Sequence, residues 1–139
     1  MKRKANAQWK GSLKEGKGTM STQSNVLKDQ DYSFNTRFGE KSGTNPDELL
    51  AAAHAGCFAM ALSMILGKEG YTPESLEATS EVTMDTDNLE LTRSHLTLKA
   101  NIPGISEEKF MECANTAKEN CPVSKALNME ISLDATLNS

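Results

Sequence analysis

The chain has 139 residues, a net charge of −4 at pH 7 and three cysteines, and we expect residues 1–139 to form a single domain. A mildly acidic chain lacks the excess of Lys and Arg that binds phosphate backbones, which argues against a nucleic-acid partner. An odd number of cysteines, without the spacing of a disulfide-stapled secreted module, indicates a cytoplasmic protein. Any disulfide in it would then be transient and catalytic.

The first forty residues are predicted to form β-strands. The segments NAQWKGSL and GTMSTQSNVL flank KEGKG, a glycine-containing turn, and this arrangement predicts a hairpin. In YSFNTRF, residues 32–38, large side chains alternate with smaller or polar ones. That alternation predicts a third short strand, which would carry Arg37.

A long helix is predicted to follow. In GTNPDELL, Asn45 is the predicted N-cap, the proline suits the first helical position, and Asp47 and Glu48 favour the positive end of the helix dipole. Gly67 or Gly70 is expected to end the helix.

The middle of this helix is apolar on nearly every side. Residues 49–66 carry no formal charge, which reaches the lower length limit for a membrane span. The segment is rich in alanine and contains His54, Gly56 and Ser63, so a core helix is favoured over a membrane helix. A helix apolar all round must be covered on most sides, and one small sheet covers only one of them. The second cover would come most easily from a subunit partner.

The remainder of the chain alternates between strands and helices. SLEATSEVTMD and ELTRSHLTLKANI predict two strands joined by a turn, and SEEKFMECANTAKEN predicts a helix capped by Ser106. A last strand follows CPVSKAL. This order indicates an α+β fold with little sign of parallel βαβ units. The predicted helix has an apolar stripe formed by Phe110, Cys113, Ala114 and Ala117.

Cys57 is the first candidate for chemistry. It lies in the middle of the long helix, where burial favours the neutral thiol, whereas the thiolate is the nucleophile. A reactive Cys57 therefore needs a cation, and Arg37 is our candidate. A buried arginine needs a carboxylate, for which Asp47 and Glu48 are the nearest in sequence. Helical geometry weakly prefers Asp47, which lies about 80° from Cys57 around the axis, against about 180° for Glu48.

Cys121 has a different setting. It directly precedes Pro122, which cannot continue the preceding helix but suits the first position of a new one. Cys121 would then lie at an N-cap, where backbone N–H groups favour a thiolate. A terminal position is also easier to move than one in the middle of a helix.

Three segments together resemble one known family. FNTRF, GTNPDELLAAAHAGCFAMALS and CPVSKAL are similar to the OsmC/Ohr family of thiol peroxidases, and they are closer to its OsmC branch. The resemblance implies an OsmC-like fold, with antiparallel sheets around a long central apolar helix in an intertwined homodimer. It also implies that Cys57 is the peroxidatic cysteine and that Cys121 is the resolving one.

The resemblance implies a reaction as well. The Cys57 thiolate, stabilised by Arg37 with Asp47 or Glu48, would reduce an organic hydroperoxide, and hydrogen peroxide less well. The resulting sulfenic acid would form a disulfide with Cys121, and an external dithiol, such as a lipoyl group, would reduce it. The family's supporting carboxylate follows NP and is commonly Glu, whereas Asp47 stands there in this chain. Lys14 and Lys17 are alternative cations.

Two other functions compete with this one. His54 lies three residues before Cys57, on the same side of the helix, as in a thiol hydrolase or acyltransferase. The non-enzymatic alternative is a dimeric binding protein with inert cysteines, of which Cys113 is expected to be a core residue. No cofactor is expected, and no spacing of Cys and His residues indicates a metal site.

Overall fold

A computed structural model describes residues 1–137 of the chain. These residues divide into two compact units, with the boundary between Leu49 and Leu50. The first unit contains three strands, a short helix and the start of the long helix. The second contains the rest of the long helix, three strands and two further helices.

The three strands of the first unit form an antiparallel sheet. They are β1 (Ala5–Lys10), β2 (Lys17–Thr22) and β3 (Gln30–Tyr32), in that spatial order. Gly18 on β2 lies between the rings of Trp9 and Tyr32, where a Cβ would come within 2.6 Å of atoms of each. Only glycine fits at this position, because these two aromatic side chains pack directly over the strand.

A short helix, α1 (Phe34–Phe38), replaces the strand predicted for residues 34–38. Ser33 caps it by accepting a hydrogen bond from the Thr36 N–H at 3.3 Å, and the Thr36 hydroxyl accepts one from the Ser33 N–H at 2.9 Å. These two bonds form a capping box, which offers the backbone a helical turn in place of strand pairing. Arg37 therefore lies on a helix, and the prediction that it lies on a strand is wrong.

The long helix, α2 (Pro46–Lys68), begins where the sequence predicts. Asn45 Oδ1 accepts a hydrogen bond from the Glu48 N–H at 2.8 Å, as an N-cap does. Beyond Lys68 the chain turns at Gly70, whose φ of +89° favours glycine. Four side chains of α2, one per turn, are buried in this chain, and they are His54, Phe58, Leu62 and Leu66.

The sheet of the second unit has the order β4 (Ser75–Asp85), β5 (Glu90–Asn101), β6 (Glu130–Leu137). The strands β4 and β5 pair in antiparallel fashion, as expected. The strands β5 and β6 pair in parallel, whereas antiparallel pairing was expected throughout. Two helices, α3 (Glu107–Asn120) and α4 (Pro122–Ala126), connect them and give the chain the length that a parallel crossover needs. The α+β class itself is confirmed.

The core of the second unit lies between this sheet, α2 and α3. Ser106 caps α3 by accepting from the Lys109 N–H at 3.1 Å, as predicted. The predicted stripe of α3 is buried throughout. It meets the inward-facing residues of β5 and the buried stripe of α2, so α2 packs as a core helix in this unit. By length and composition alone α2 could also cross a membrane.

Candidate functional site

Cys57 and Cys121 come together in the second unit, and both are free thiols. The side chain of Cys57, on α2, lies near that of Cys121 and near the backbone N–H of Val123 in α4, close enough for both to affect its pKa. Burial raises the pKa of the Cys57 thiol, the Val123 N–H lowers it, and the neighbouring Cys121 raises it again. The net effect favours the neutral thiol, so a nucleophilic Cys57 needs a positive charge beyond these groups.

Cys121 lies at the junction of the two last helices. It is the C-cap of α3 and the N-cap of α4, and it is fully buried. Its Sγ accepts a hydrogen bond from the Ser124 N–H at 3.4 Å and lies 3.0 Å from the Ser124 hydroxyl. The predicted N-cap position is confirmed, and it places the Cys121 sulfur toward Cys57.

Arg37 and Asp47 form an ion pair in the first unit. Arg37 Nε donates to Asp47 Oδ2 at 3.2 Å and the Arg37 NH2 group donates to Oδ1 at 3.1 Å. Two parallel bonds of this kind hold a guanidinium in one orientation. The Asp47 side chain is one-fifth exposed and that of Arg37 one-third exposed, so the pair is partly shielded from solvent.

The other predicted charged residues occupy different positions. Glu48 is exposed and accepts a hydrogen bond from the Thr44 hydroxyl at 3.0 Å, so its carboxylate is engaged away from Arg37. Lys14 lies in the turn between β1 and β2, and Lys17 is the first residue of β2. Between the two acidic candidates, the observed partner of Arg37 is Asp47.

An apolar cavity of about 260 Å³ lies beside Arg37 within the first unit. The guanidinium carbon of Arg37 lies 5.4 Å from the centre of the Phe38 ring, and the rings of Phe34 and Phe38 lie 4.9 Å apart. A cation bordered by aromatic rings suits a ligand with an apolar body and one polar end. The cavity is lined by Trp9, Leu13, Tyr32, Ser33, Phe34, Arg37 and Phe38.

His54 does not pair with Cys57. Its Nδ1 lies 2.6 Å from the Ser94 hydroxyl and its Nε2 lies 2.8 Å from the Ser124 hydroxyl. Each ring nitrogen therefore pairs with a serine hydroxyl rather than with the Cys57 sulfur. This geometry argues against the thiol hydrolase or acyltransferase that the Cys57–His54 spacing allowed.

Ser94 and Ser124 are buried polar residues that sequence reasoning did not select. A signal for Ser94 exists, because it occupies an inward position of β5 where Leu96, Leu98 and Ala100 are apolar. For Ser124 the signal is its place three residues after an N-cap cysteine. Cys113 is buried in the core, and burial raises the pKa of its thiol, as expected of an inert cysteine.

Comparison with known proteins agrees with these features. A profile of the family described as OsmC-like protein matches residues 39–136. Peroxiredoxin OsmC of Escherichia coli K12 is 47% identical over 139 residues, covering 99% of this chain and 97% of that protein. The organic hydroperoxide resistance protein OhrB of Bacillus subtilis is 33% identical over 97 residues, covering 68% of this chain and 71% of that protein.

Solved structures show the same fold. The crystal structure of the Bacillus subtilis OhrB superposes with a TM-score of 0.65 at 26% identity, covering 97% of this chain and 98% of that one. An OsmC-like protein from Mycoplasma pneumoniae superposes with a TM-score of 0.74 at 18% identity, covering 100% and 99% of the two chains. On the family profile and the full-length relative, this chain belongs to the OsmC family.

Proposed function

We propose that this protein is a thiol peroxidase that reduces organic hydroperoxides, with Cys57 as the peroxidatic cysteine and Cys121 as the resolving one. The observation that carries the proposal is that these two free thiols, one in the middle of α2 and one at the start of α4, lie close enough for Cys121 to affect the ionisation of Cys57. The relatives named peroxiredoxin and organic hydroperoxide resistance protein support the same reaction.

The first step oxidises Cys57. Its thiolate attacks one peroxide oxygen, the O–O bond breaks, and the leaving alkoxide takes a proton to become an alcohol. The sulfur keeps one oxygen as a sulfenic acid. Because burial and Cys121 oppose ionisation of Cys57, we propose that Arg37, held by Asp47, supplies the stabilising positive charge. Glu48 has no part in this proposal.

The second step forms a disulfide. The sulfur of Cys121 attacks that of Cys57, an S–S bond replaces the S–O bond, and water leaves. An external dithiol of lipoyl type then reduces the disulfide by exchange and returns both thiols. Cys121 suits this role because its side chain already lies near that of Cys57 in the reduced chain.

The substrate preference is proposed from the cavity beside Arg37. Its aromatic lining would bind the apolar body of an organic hydroperoxide, while the guanidinium would face the peroxide end. Hydrogen peroxide lacks an apolar body and would gain nothing from this lining. We therefore expect organic hydroperoxides to be better substrates than hydrogen peroxide.

We further propose one OsmC-like domain over residues 1–139, an intertwined homodimer and a cytoplasmic location. The dimer is supported by the apolar side chains that α2 leaves exposed, notably Met60 at 77% and Met64 at 58%. That α2 lies in the core of a water-soluble protein is supported by His54, which α2 buries against serine hydroxyls of β5 and α4. A polar contact of this kind is typical of a core helix in a soluble protein.

Steady-state assays test the function. We expect the chain to consume cumene hydroperoxide, and hydrogen peroxide less well, in the presence of dihydrolipoamide. Cys57→Ser should abolish this consumption, whereas Cys113→Ala, a matched change at a core cysteine, should retain it. Equal activity in the Cys57→Ser variant, or no activity in the wild-type chain with any dithiol, would contradict the proposal.

A further inference from the structure

A continuous chain of hydrogen bonds runs through the second unit and ends at the Cys121 sulfur. The hydroxyls of Ser80 and Ser94 lie 2.8 Å apart, and the Ser94 hydroxyl lies 2.6 Å from His54 Nδ1. On the other side of the ring, His54 Nε2 lies 2.8 Å from the Ser124 hydroxyl, which lies 3.0 Å from Cys121 Sγ. Elements β4, β5, α2 and α4 each contribute a residue to it.

This chain is buried except at one end. His54, Ser94 and Cys121 have no exposed surface, Ser124 is 7% exposed, and Ser80 is only partly buried. Buried polar side chains are expensive unless each is satisfied. Here three of them, His54, Ser94 and Ser124, form a connection to one sulfur, which is more than the packing of an inert cysteine requires.

The protonation states give the chain a direction. Burial lowers the pKa of His54, so its imidazole is neutral at pH 7 and has one donor and one acceptor nitrogen. If the Cys121 S–H donates to Ser124, the Ser124 O–H donates to His54 Nε2. The His54 Nδ1–H then donates to Ser94, and the Ser94 O–H to Ser80. Each group in this arrangement donates once, and every bond points away from Cys121.

We propose that the Ser80–Ser94–His54–Ser124 chain is the proton relay of the resolving step, a role that rests on the proposed function. The Ser124 hydroxyl lies next to the reacting sulfur of Cys121. His54 does not touch that sulfur: it positions the Ser124 hydroxyl and takes up the proton through it. As the Cys121 sulfur bonds to that of Cys57, the Cys121 proton passes through Ser124 to His54. The S–O bond of the sulfenic acid breaks, and the departing hydroxide takes one proton from solvent to become water, which balances the proton that has left Cys121. Reduction of the disulfide returns a proton to Cys121 along the same path.

The surroundings of His54 suit this role. Its hydrogen-bond partners from β5 and α4 are uncharged serines, and the β4 residue next in the chain is a third serine. The neighbouring titratable groups are Cys121, at the end of the relay, and Cys57, which interacts with Cys121. Among residues 1–137, every ion pair in the structure leaves His54 out. The proton that His54 accepts therefore comes from the thiol rather than from a competing acid.

The test separates the two chemical steps in the full-length protein. Rapid mixing with cumene hydroperoxide gives the rate of Cys57 oxidation, and quenching with mass analysis gives the rate of disulfide formation, between pH 6 and pH 9. The variants are Ser124→Ala, which cuts the relay next to the sulfur, Ser124→Thr, which keeps a hydroxyl, and Ser94→Ala on the far side of the ring. Ser132→Ala is the matched control. Ser132, on β6, also forms a hydrogen bond with a histidine, since its hydroxyl lies 2.6 Å from His95 Nδ1.

The relay predicts a change in pH profile as well as in rate. Without it, Cys121 must lose its proton to solvent, so disulfide formation in Ser124→Ala should be at least about 10-fold slower at pH 7 relative to the first step. The deficit should shrink as the pH rises, because hydroxide in solvent increasingly removes the proton that the relay would have taken. Ser124→Thr should restore the wild-type profile, Ser94→Ala should share part of the defect, and Ser132→Ala should match the wild-type protein.

Two results would overturn the assignment. One is a wild-type rate and profile in both Ser124→Ala and Ser94→Ala. The other is a slowing by the same factor at every pH, which would indicate a role in packing alone. A wild-type chain that forms no sulfenic acid would contradict the proposed function itself. If the first step is normal in every variant, by contrast, either of the two results counts against the relay alone.

Discussion

At the scale of single residues, two adjacent acidic side chains are assigned different roles. Asp47 forms a two-bond ion pair with Arg37, and Glu48 bonds Thr44 instead. Asp47 is the second residue of α2 and Glu48 is the third. Consecutive residues of a helix lie about 100° apart around its axis, so the two carboxylates face different sides of α2. Loss of the Asp47 charge would leave the guanidinium free to adopt other rotamers.

We therefore expect Asp47→Asn to slow Cys57 oxidation by about 10- to 100-fold, since positioned charges contribute about that much to catalysis. Glu48→Gln is the matched control and should stay within about 2-fold of wild type. The measurement is the second-order rate with cumene hydroperoxide at pH 7. A greater loss in Glu48→Gln than in Asp47→Asn would refute the assignment of Asp47 as the partner that orients Arg37 for catalysis.

His54 should also make stability depend on pH. Burial lowers its pKa in the folded chain, so the unfolded chain binds more protons below about pH 6.5. Its contribution to stability is complete above that pH and is lost as the pH falls toward the folded pKa, with a slope of up to about 1.4 kcal/mol per pH unit. Urea unfolding between pH 7.5 and pH 5 measures it. His54→Gln should flatten this slope, and an unchanged slope would show that His54 does not carry it.

At the scale of elements, the caps decide where helices lie, and most of them can be predicted. Asn45, Ser106 and Cys121 all cap helices as their sequence positions indicate. Helix α1 was missed because five residues are too few to display a 3.6-residue period, and because its two phenylalanines, four positions apart, fit an alternating strand as well as a helix. The capping box of Ser33 and Thr36, which overrides that alternation, is the signal in the sequence that points to a helix.

Two serine caps offer a matched pair of variants. Ser33→Ala removes the cap of α1, which carries Arg37, and Ser106→Ala removes the cap of α3. Each should lower the free energy of unfolding by about 1 kcal/mol. Only Ser33→Ala should also slow Cys57 oxidation, because the helix it caps holds the guanidinium. Equal oxidation rates in the two variants would show that α1 does not need its cap to place Arg37.

Strand direction shows a second limit of sequence reasoning at this scale. The alternation in β6 correctly predicts a half-buried strand, with Ile131, Leu133 and Ala135 facing inward. Its direction relative to β5 depends on how α3 and α4 return the chain across the sheet, and alternation is the same in both directions. The parallel pairing therefore had to be seen in three dimensions.

At the scale of the whole molecule, the exposed apolar side of α2 supports the proposed homodimer. The helix is apolar around most of its surface, yet one residue per turn is buried in the single chain. The exposed side carries small residues and two methionines, Met60 and Met64. Covering these side chains would remove apolar surface from water, which stabilises association.

We expect Met60→Glu to shift the protein from dimer to monomer, because the charge would lie in a buried interface. Val26→Glu is the control, since Val26 is 84% exposed in the first unit and a charge there should leave the assembly unchanged. Light scattering coupled to size-exclusion chromatography gives the mass. A dimer that survives Met60→Glu unchanged would place the interface elsewhere.

The candidate site was predictable in its parts and not in its connections. The two cysteines, Arg37 and its two possible acidic partners could be chosen from motifs, because their chemistry is tied to residue type and local position. The pairing of Arg37 with Asp47 depends on α1, which sequence alternation concealed. The serines around His54 could not be chosen, since contacts over 40 and 70 residues depend on the packing of β5 and α4 against α2.

The central claim is that Cys57 and Cys121 form one redox pair, and peptide mapping of the oxidised protein tests it most directly. Reduced protein would receive one equivalent of cumene hydroperoxide, beside the Cys57→Ser variant. The account predicts the loss of two thiols per chain, a Cys57–Cys121 linked peptide, an unmodified Cys113, and none of this linkage in the variant. Survival of both thiols in excess hydroperoxide, or a linkage of Cys57 to Cys113 instead, would contradict it.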